Sequence, residues 1–208
     1  MTAMTRLLRF NDHAPILLAG CSALTAMEDA SQPLEIYDLR TPQLPKSVSR
    51  GQLEIVILEP TSRGVLATER IMIRPAPLKA QYLPGVRWAD TAPVLVQTLM
   101  VRNLTEIGAF GSVGRNPVGT RADYTVLSEL TDFQAETTDG GNDAVVRTRL
   151  VVRLVRESDS RVVATRAFEA SVTAGSTDPD RIAAAFDLAT SGLLTEFASW
   201  IVGRASSS

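Results

Sequence analysis

Val146-Arg-Thr-Arg-Leu-Val-Val-Arg-Leu154 is the stretch that decides how this chain folds. Val146, Leu150, Val152 and Leu154 fall on one side of an extended backbone, and Arg147, Arg149 and Arg153 on the other. Side chains alternate across a strand with a period of two, so this segment reads as an antiparallel strand with one buried and one solvated face. Ala122 to Phe133 before it and Arg161 to Thr173 after it read as two more strands. Asp159 and Ser160 supply a tight turn between the last two.

Beyond these strands, Ser176-Thr-Asp-Pro179 opens a helix, with Pro179 suited to its first turn. Ile182, Phe186, Ala189, Leu193, Phe197 and Trp200 recur at steps of three and four, a continuous apolar stripe. Ala205 to Ser208 should fray. Upstream, Asp90 or Thr91 caps an earlier helix with Pro93 in its first turn. Val94, Leu95, Leu99, Val101, Leu104 and Ile107 spread around that helix, which must therefore pack on more than one side. Gly108 stops it, where a left-handed residue is commonly required. Short strands are expected at Leu34–Leu39, Gln52–Leu58 and Glu69–Arg74, the last ending at Pro75 and pairing with an edge strand over Leu78–Leu83. The sum is a single α/β domain: a mixed or antiparallel sheet with two main helices packed on it.

The chain's 208 residues, 45% hydrophobic, suffice for one sizeable core. Its 21 basic and 23 acidic side chains nearly balance, which removes the electrostatic case for nucleic acid. No apolar run approaches the roughly 18–20 residues of a membrane-spanning helix. One cysteine, Cys21, excludes an intramolecular disulfide or a multi-thiolate metal site. The only histidine, His13, lies in a segment read below as removed, so the mature chain has no Ser–His–Asp, Cys–His or His-ligated metal chemistry. No cofactor and no metal is expected.

Residues 1–20 read as an export signal: Arg6 and Arg9 are its positive region, and Ala14-Pro-Ile-Leu-Leu-Ala-Gly20 is a short apolar run. Asn11, Asp12 and His13 interrupt that run. Leu18-Ala-Gly-Cys21 resembles the lipobox of bacterial lipoproteins, in which the cysteine is acylated and becomes the first residue. The other reading is a buried apolar segment with an inert cysteine. Residues 21–33 carry small and polar side chains suited to a flexible tether, and residues 34–204 form the domain. Ser22 stands where aspartate would resemble an inner-membrane retention signal, which favours the periplasmic face of the outer membrane over the inner membrane.

Several constellations have plain structural readings. Gly108, Gly111 and Gly114 are spaced G-x-x-G-x-x-G after a helix, not G-x-G-x-x-G before one, so they mark a helix stop and a turn. Arg147, Arg149, Arg153, Arg156, Arg161 and Arg166 lack interleaved aromatics and read as a solvated sheet face. Asp178 and Asp180 sit where capping and the helix dipole explain them. Asn103-Leu-Thr105 matches a glycosylation sequon but falls inside a helix. Tyr82, Arg87, Trp88 and Asp90 flank the entry to the first helix and are the candidate binding residues, with packing as the alternative for Trp88.

The order of these motifs resembles the ABC-type transport auxiliary lipoprotein family, which includes the lipoprotein partners of MCE-domain lipid transporters and the paraquat-inducible lipoproteins. The likeness runs from Leu18 to about Ile201. It takes in Leu18-Ala-Gly-Cys21, Ile36-Tyr-Asp-Leu39, Arg87-Trp-Ala-Asp90, Gly108-Ala-Phe110, Arg121-Ala-Asp-Tyr124, Val162-Val-Ala-Thr-Arg-Ala-Phe168 and Ala183-Ala-Ala-Phe186. The resemblance implies a fold similar to the N-terminal domain of TolB. It also implies a non-enzymatic lipoprotein anchored through Cys21, partnered by an ABC permease, its ATPase and an MCE-domain protein, with room for a homo-oligomer. The rival is a periplasmic lipid- or small-ligand-binding module, which needs a deep apolar pocket between sheet and helices. A hydrolase using carboxylates needs two convergent acids in one cleft.

Overall fold

In chain order the elements are β1 (Glu35–Tyr37), β2 (Glu54–Ile57), β3 (Thr61–Ser62), β4 (Met72–Ala76), β5 (Lys79–Tyr82) and β6 (Val86–Trp88). Helix α1 (Ala92–Ile107) follows, then β7 (Ser112–Gly114), β8 (Tyr124–Thr137), β9 (Ala144–Arg156), β10 (Arg161–Thr173) and helix α2 (Pro179–Ala205). The computed structural model describes residues 33–47, 51–138 and 141–205. The export segment, Cys21 and the tether up to Gln32 lie outside them. Leu34–Ser208 is one compact unit.

The three long strands form an antiparallel meander, β8–β9–β10, in the register the alternation predicts. Leu150 lies opposite Leu130 on one side and Phe168 on the other, and all three are buried. The β9–β10 connection is a four-residue loop, 157–160, longer than a two-residue turn at Asp159 and Ser160; Ser160 closes it in a left-handed conformation with φ 55°. The other edge of β8 is covered in relay by parallel β2, β3 and β4, and β7 adds a parallel strand beyond β2. The result is a mixed eight-stranded sheet, with β1 and β6 as a separate parallel pair. At Gly111, where β7 begins, the backbone runs so close to Gln52 that a Cβ would stand 2.7 Å from its carbonyl oxygen. That close approach, not a phosphate site, accounts for the glycine.

Both helices cover one face of the sheet and share its core. Helix α1 begins after Thr91, which makes no side-chain cap, and ends at Gly108 with φ 71°. Gln97 donates from its buried amide to Ile57 O at 2.9 Å and ties α1 to β2. Helix α2 is capped by Asp178, whose Oδ1 accepts from the backbone N–H of Asp180 at 3.0 Å. Its stripe from Ile182 to Phe197 is buried as the period requires, whereas Trp200 is half-buried against Phe168. Ala205 is buried and still helical instead of frayed.

Two details depart from expectation. Strand β4 continues through Pro75 to Ala76, because the proline sits where its pairing with β5 skips register and no ladder N–H is needed. Residues 86–88 form a strand, β6, in place of a loop leading into α1. Asn103 of the Asn103-Leu-Thr105 sequon is 1% exposed within α1.

Candidate docking site

The pairing of β1 with β6 brings together two of the sequence motifs quoted above. Ile36 lies opposite Arg87 and Tyr37 opposite Trp88 in parallel register. Along β6 the side chains alternate, so Val86 and Trp88 point into the core and Arg87 points out. Trp88 is 1% exposed, with Phe133 and Phe186 at ring-centroid distances of 5.7 and 5.1 Å. The indole therefore anchors the site from below and does not reach its surface.

Arg87 lies above it, donating to Glu69 Oε2 at 2.9 Å and to Trp88 O at 3.1 Å. Asp90 accepts from the Thr91 N–H at 2.8 Å and stays exposed. Tyr82, on β5, donates its hydroxyl to Val65 O at 3.2 Å, and the Arg70 guanidinium stands 5.6 Å from its ring centroid. Backbone bonds from Trp88 N–H to Glu69 O and from Ala89 N–H to Tyr37 O lock β6 between the 66–70 turn and β1. Arg87 and Asp90 thus flank the buried indole in sequence and face outward, while Tyr82 lies on β5 against Val65 and Arg70.

The segment that enters the domain is clasped as well. Tyr37 donates its hydroxyl to Asp180 Oδ1 at 2.5 Å. This bond, then burial and the neighbouring acids, pushes the phenol above its ordinary range. Arg40 meets Asp187 through its backbone N–H at 2.9 Å and through two guanidinium nitrogens. The same bonds hold the guanidinium more firmly protonated than usual. Residues 35–40 are therefore pinned to α2 at two points seven residues apart, two turns along one side of the helix. The sequence explained Asp180 by the helix dipole and passed over Asp187. The signal available was a pair of acids at that spacing beside an apolar stripe.

Between sheet and helices the space is filled by Trp88, Phe133, Phe168, Phe186, Phe197 and aliphatic neighbours. The best-formed grooves lie elsewhere, on the outer surface. One of about 410 Å³ is lined by Asp132, Arg147, Arg149, Glu169 and Ser171 on the uncovered face of the sheet. Its acids are already engaged: Glu169 faces Arg149 at 3.6 Å, and Asp132 accepts from Gln134 Nε2 at 3.0 Å. Nearby Glu136 pairs with Arg147 at 2.8 Å. Among the described residues no group of three or more His, Cys, Asp or Glu could hold a metal ion. No described helix is long and apolar enough to cross a membrane.

Comparison with known proteins places these features. Residues 37–198 match the family of ABC-type transport auxiliary lipoprotein components. An uncharacterised protein of Bradyrhizobium diazoefficiens is 31% identical over 190 residues, 89% of this chain and 49% of that protein. The chain thus spans about half the length of this curated relative. A crystal structure from Xanthomonas campestris superposes with a TM-score of 0.73 at 26% identity, covering 83% of this chain and 98% of that one. A hypothetical protein from Chlamydia trachomatis shares the fold with a TM-score of 0.53 at 13% identity, over 76% of this chain and 100% of that one.

Proposed function

The chain belongs to the ABC-type transport auxiliary lipoprotein family, and from that premise we propose that it is a non-catalytic docking component of an ABC/MCE-type system moving lipid between membranes. In this reading Cys21 carries the lipid, residues 21–33 are the tether, and the domain sits on the periplasmic face of the outer membrane. The permease, its ATPase and the MCE-domain protein are its partners. The mechanism is placement: a tethered domain has a raised effective concentration near partners at the same envelope site.

The observation that carries this reading is the clasp of residues 35–40 onto α2. Cys21 lies 13 residues before Leu34. β1 and the Tyr37–Asp180 and Arg40–Asp187 contacts hold residues 35–40, the first described segment of the domain, against β6 and α2, which supports a reading in which a tether pulls on a firmly attached strand. The filled interior favours docking over carrying cargo, because a ligand between sheet and helices would have to displace fully buried aromatics. Tyr82, Arg87 and Asp90 are the docking surface we assign, with Trp88 anchoring the strand that carries Arg87.

The test is co-purification of the full chain with a permease, ATPase and MCE protein encoded beside it. The reading expects these proteins to be recovered together, and Arg87→Glu to lower recovery at least about tenfold, the effect of ~1.4 kcal/mol of lost binding. Recovery unchanged by Arg87→Glu overturns the assigned surface. Absence of all three partners from the purified chain overturns the transport reading.

A further inference from the structure

The β4–β5 hairpin is a ribbon at the margin of the sheet, since β5 pairs with β4 alone. Ala76 lies opposite Lys79, so Pro77 and Leu78 make a two-residue turn. Leu78 at its tip is fully exposed, the most exposed of the described large hydrophobic side chains. Edge protection accounts for Pro75, Pro77 and Lys79, because prolines and charge discourage strand pairing. It gives no reason for a leucine. Such turns ordinarily take glycine, asparagine or aspartate, and a fully exposed side chain adds nothing to the packing of the domain.

The ribbon also carries charge of one sign. From Arg70 to Tyr82 it holds Arg70, Arg74 and Lys79 and no acid. Among the described residues none of these three enters an ion pair, whereas Arg87, Arg147, Arg149, Arg156 and Arg166 each meet a carboxylate. Glu136, opposite Arg74 in the ladder, is taken by Arg147. Arg74 Nε is left without a hydrogen-bond partner. An exposed apolar tip between unpaired cations is the composition of a membrane-surface element.

The tip stands at the end of the domain that bears its first described residues. Arg74 lies opposite Glu136, at the close of β8. Thr137 faces Ala144, whose carbonyl accepts the Ala174 N–H shortly before α2. Asp180, in the first turn of α2, then holds Tyr37. Leu34 and Ile36 are exposed at this end as well, Ile36 by more than half. Thirteen residues separate Cys21 from Leu34, roughly 20 Å for a flexible chain, so a lipid on Cys21 brings this end within reach of the bilayer.

We propose that the Pro77-Leu78 tip enters the headgroup region of a phospholipid bilayer, with Arg74 and Lys79 against its anionic lipids. The inference rests on the tethered reading above and adds a second membrane contact to it. Lys79 keeps its ammonium at headgroup level while its stem lies along the apolar boundary beside Leu78. The attraction of each cation falls off within a Debye length, about 8 Å at physiological salt. Glu35, Asp143 and Asp178 lie at the same end and oppose an anionic surface, which confines the contact to the hairpin. A protein partner fits the tip poorly, because one leucine among cations offers no apolar core with a polar rim. For a domain held by an acyl group, the tip sets which side faces the membrane.

The experiment uses the full chain with Cys21→Ala, so that an introduced thiol stands alone and no acyl group contributes. An environment-sensitive fluorophore on Ala80→Cys, exposed on β5, should shift to the blue when vesicles of phosphatidylethanolamine and phosphatidylglycerol are added. The same fluorophore on Thr120→Cys, exposed beyond the other end of β8, should not shift. Leu78→Asp should weaken the apparent affinity read at Ala80→Cys at least about tenfold, with an unchanged melting temperature. No shift at Ala80→Cys, equal shifts at the two positions, or an affinity unchanged by Leu78→Asp overturns the proposal. Co-purification of the transport partners is read separately: a shift without partners keeps the hairpin contact and removes the transport system, and partners without a shift do the reverse.

Discussion

The two faces of the central sheet are made by the same three strands and differ in nearly everything else. On the covered face Val126, Leu130, Phe133, Val146, Leu150, Val152, Leu154 and Phe168 are almost wholly buried beneath α1 and α2. On the open face Glu136–Arg147 and Arg149–Glu169 form ion pairs across strands, and each of these side chains is about a third or more exposed. Buried apolar side chains contribute about 1.5–3 kcal/mol each, while exposed ion pairs contribute roughly 0–1 kcal/mol. Stability therefore resides on one face, and the other is left to solubility and to contact with other molecules.

The largest expected effect tests the covered face. Phe186 touches Trp88 and Phe133, with centroids 5.1 and 4.9 Å away. Phe186→Ala should cost about 3–5 kcal/mol in denaturant unfolding. A loss below about 1 kcal/mol would erase the distinction between the faces.

An intermediate effect belongs to the clasp at the domain's entry. Tyr37→Phe removes one hydrogen bond to a carboxylate at a partly solvated position and should cost about 1 kcal/mol. Its pH dependence is signed. The folded phenol titrates above its ordinary value of about 10, so the folded state binds the proton more tightly than the unfolded chain. This contribution is complete below about pH 10 and is lost as pH rises toward the folded value. Following tyrosinate absorbance, the full chain should show a step above the ordinary tyrosine range that Tyr37→Phe abolishes.

The smallest effect sharpens the comparison from the open side. Arg149→Ala should change stability by no more than about 0.5 kcal/mol, because its partner Glu169 is 77% exposed and stays hydrated. A cost above about 2 kcal/mol would mean that the open face is structural after all.

What was legible in the sequence follows the same division. The alternation at Val146–Leu154 and the stripe from Ile182 to Phe197 sit in long elements, where a repeated period outweighs local noise. Strands β3, β6 and β7 have two or three residues each, too few to show a period, and all pair with distant chain. In β8 the register shift between Leu130 and Asp132 inverts the alternation partway along, so Phe133 is buried out of phase with Val126 and Leu130. At the candidate site, Arg87-Trp-Ala-Asp90 was visible as a motif. Its setting against β1 was not, nor was a bond from Tyr37 to Asp180, 143 residues away. Pairing across such separations is decided by the packed fold and leaves no local pattern.

The most direct test of the whole account lies at Cys21. Labelled fatty acid supplied to cells expressing the full chain should enter the protein with Cys21 and be absent from Cys21→Ala, with both chains accumulating to the same level. Equal label in the two, or none in the chain that keeps Cys21, would contradict a domain that works by being tethered.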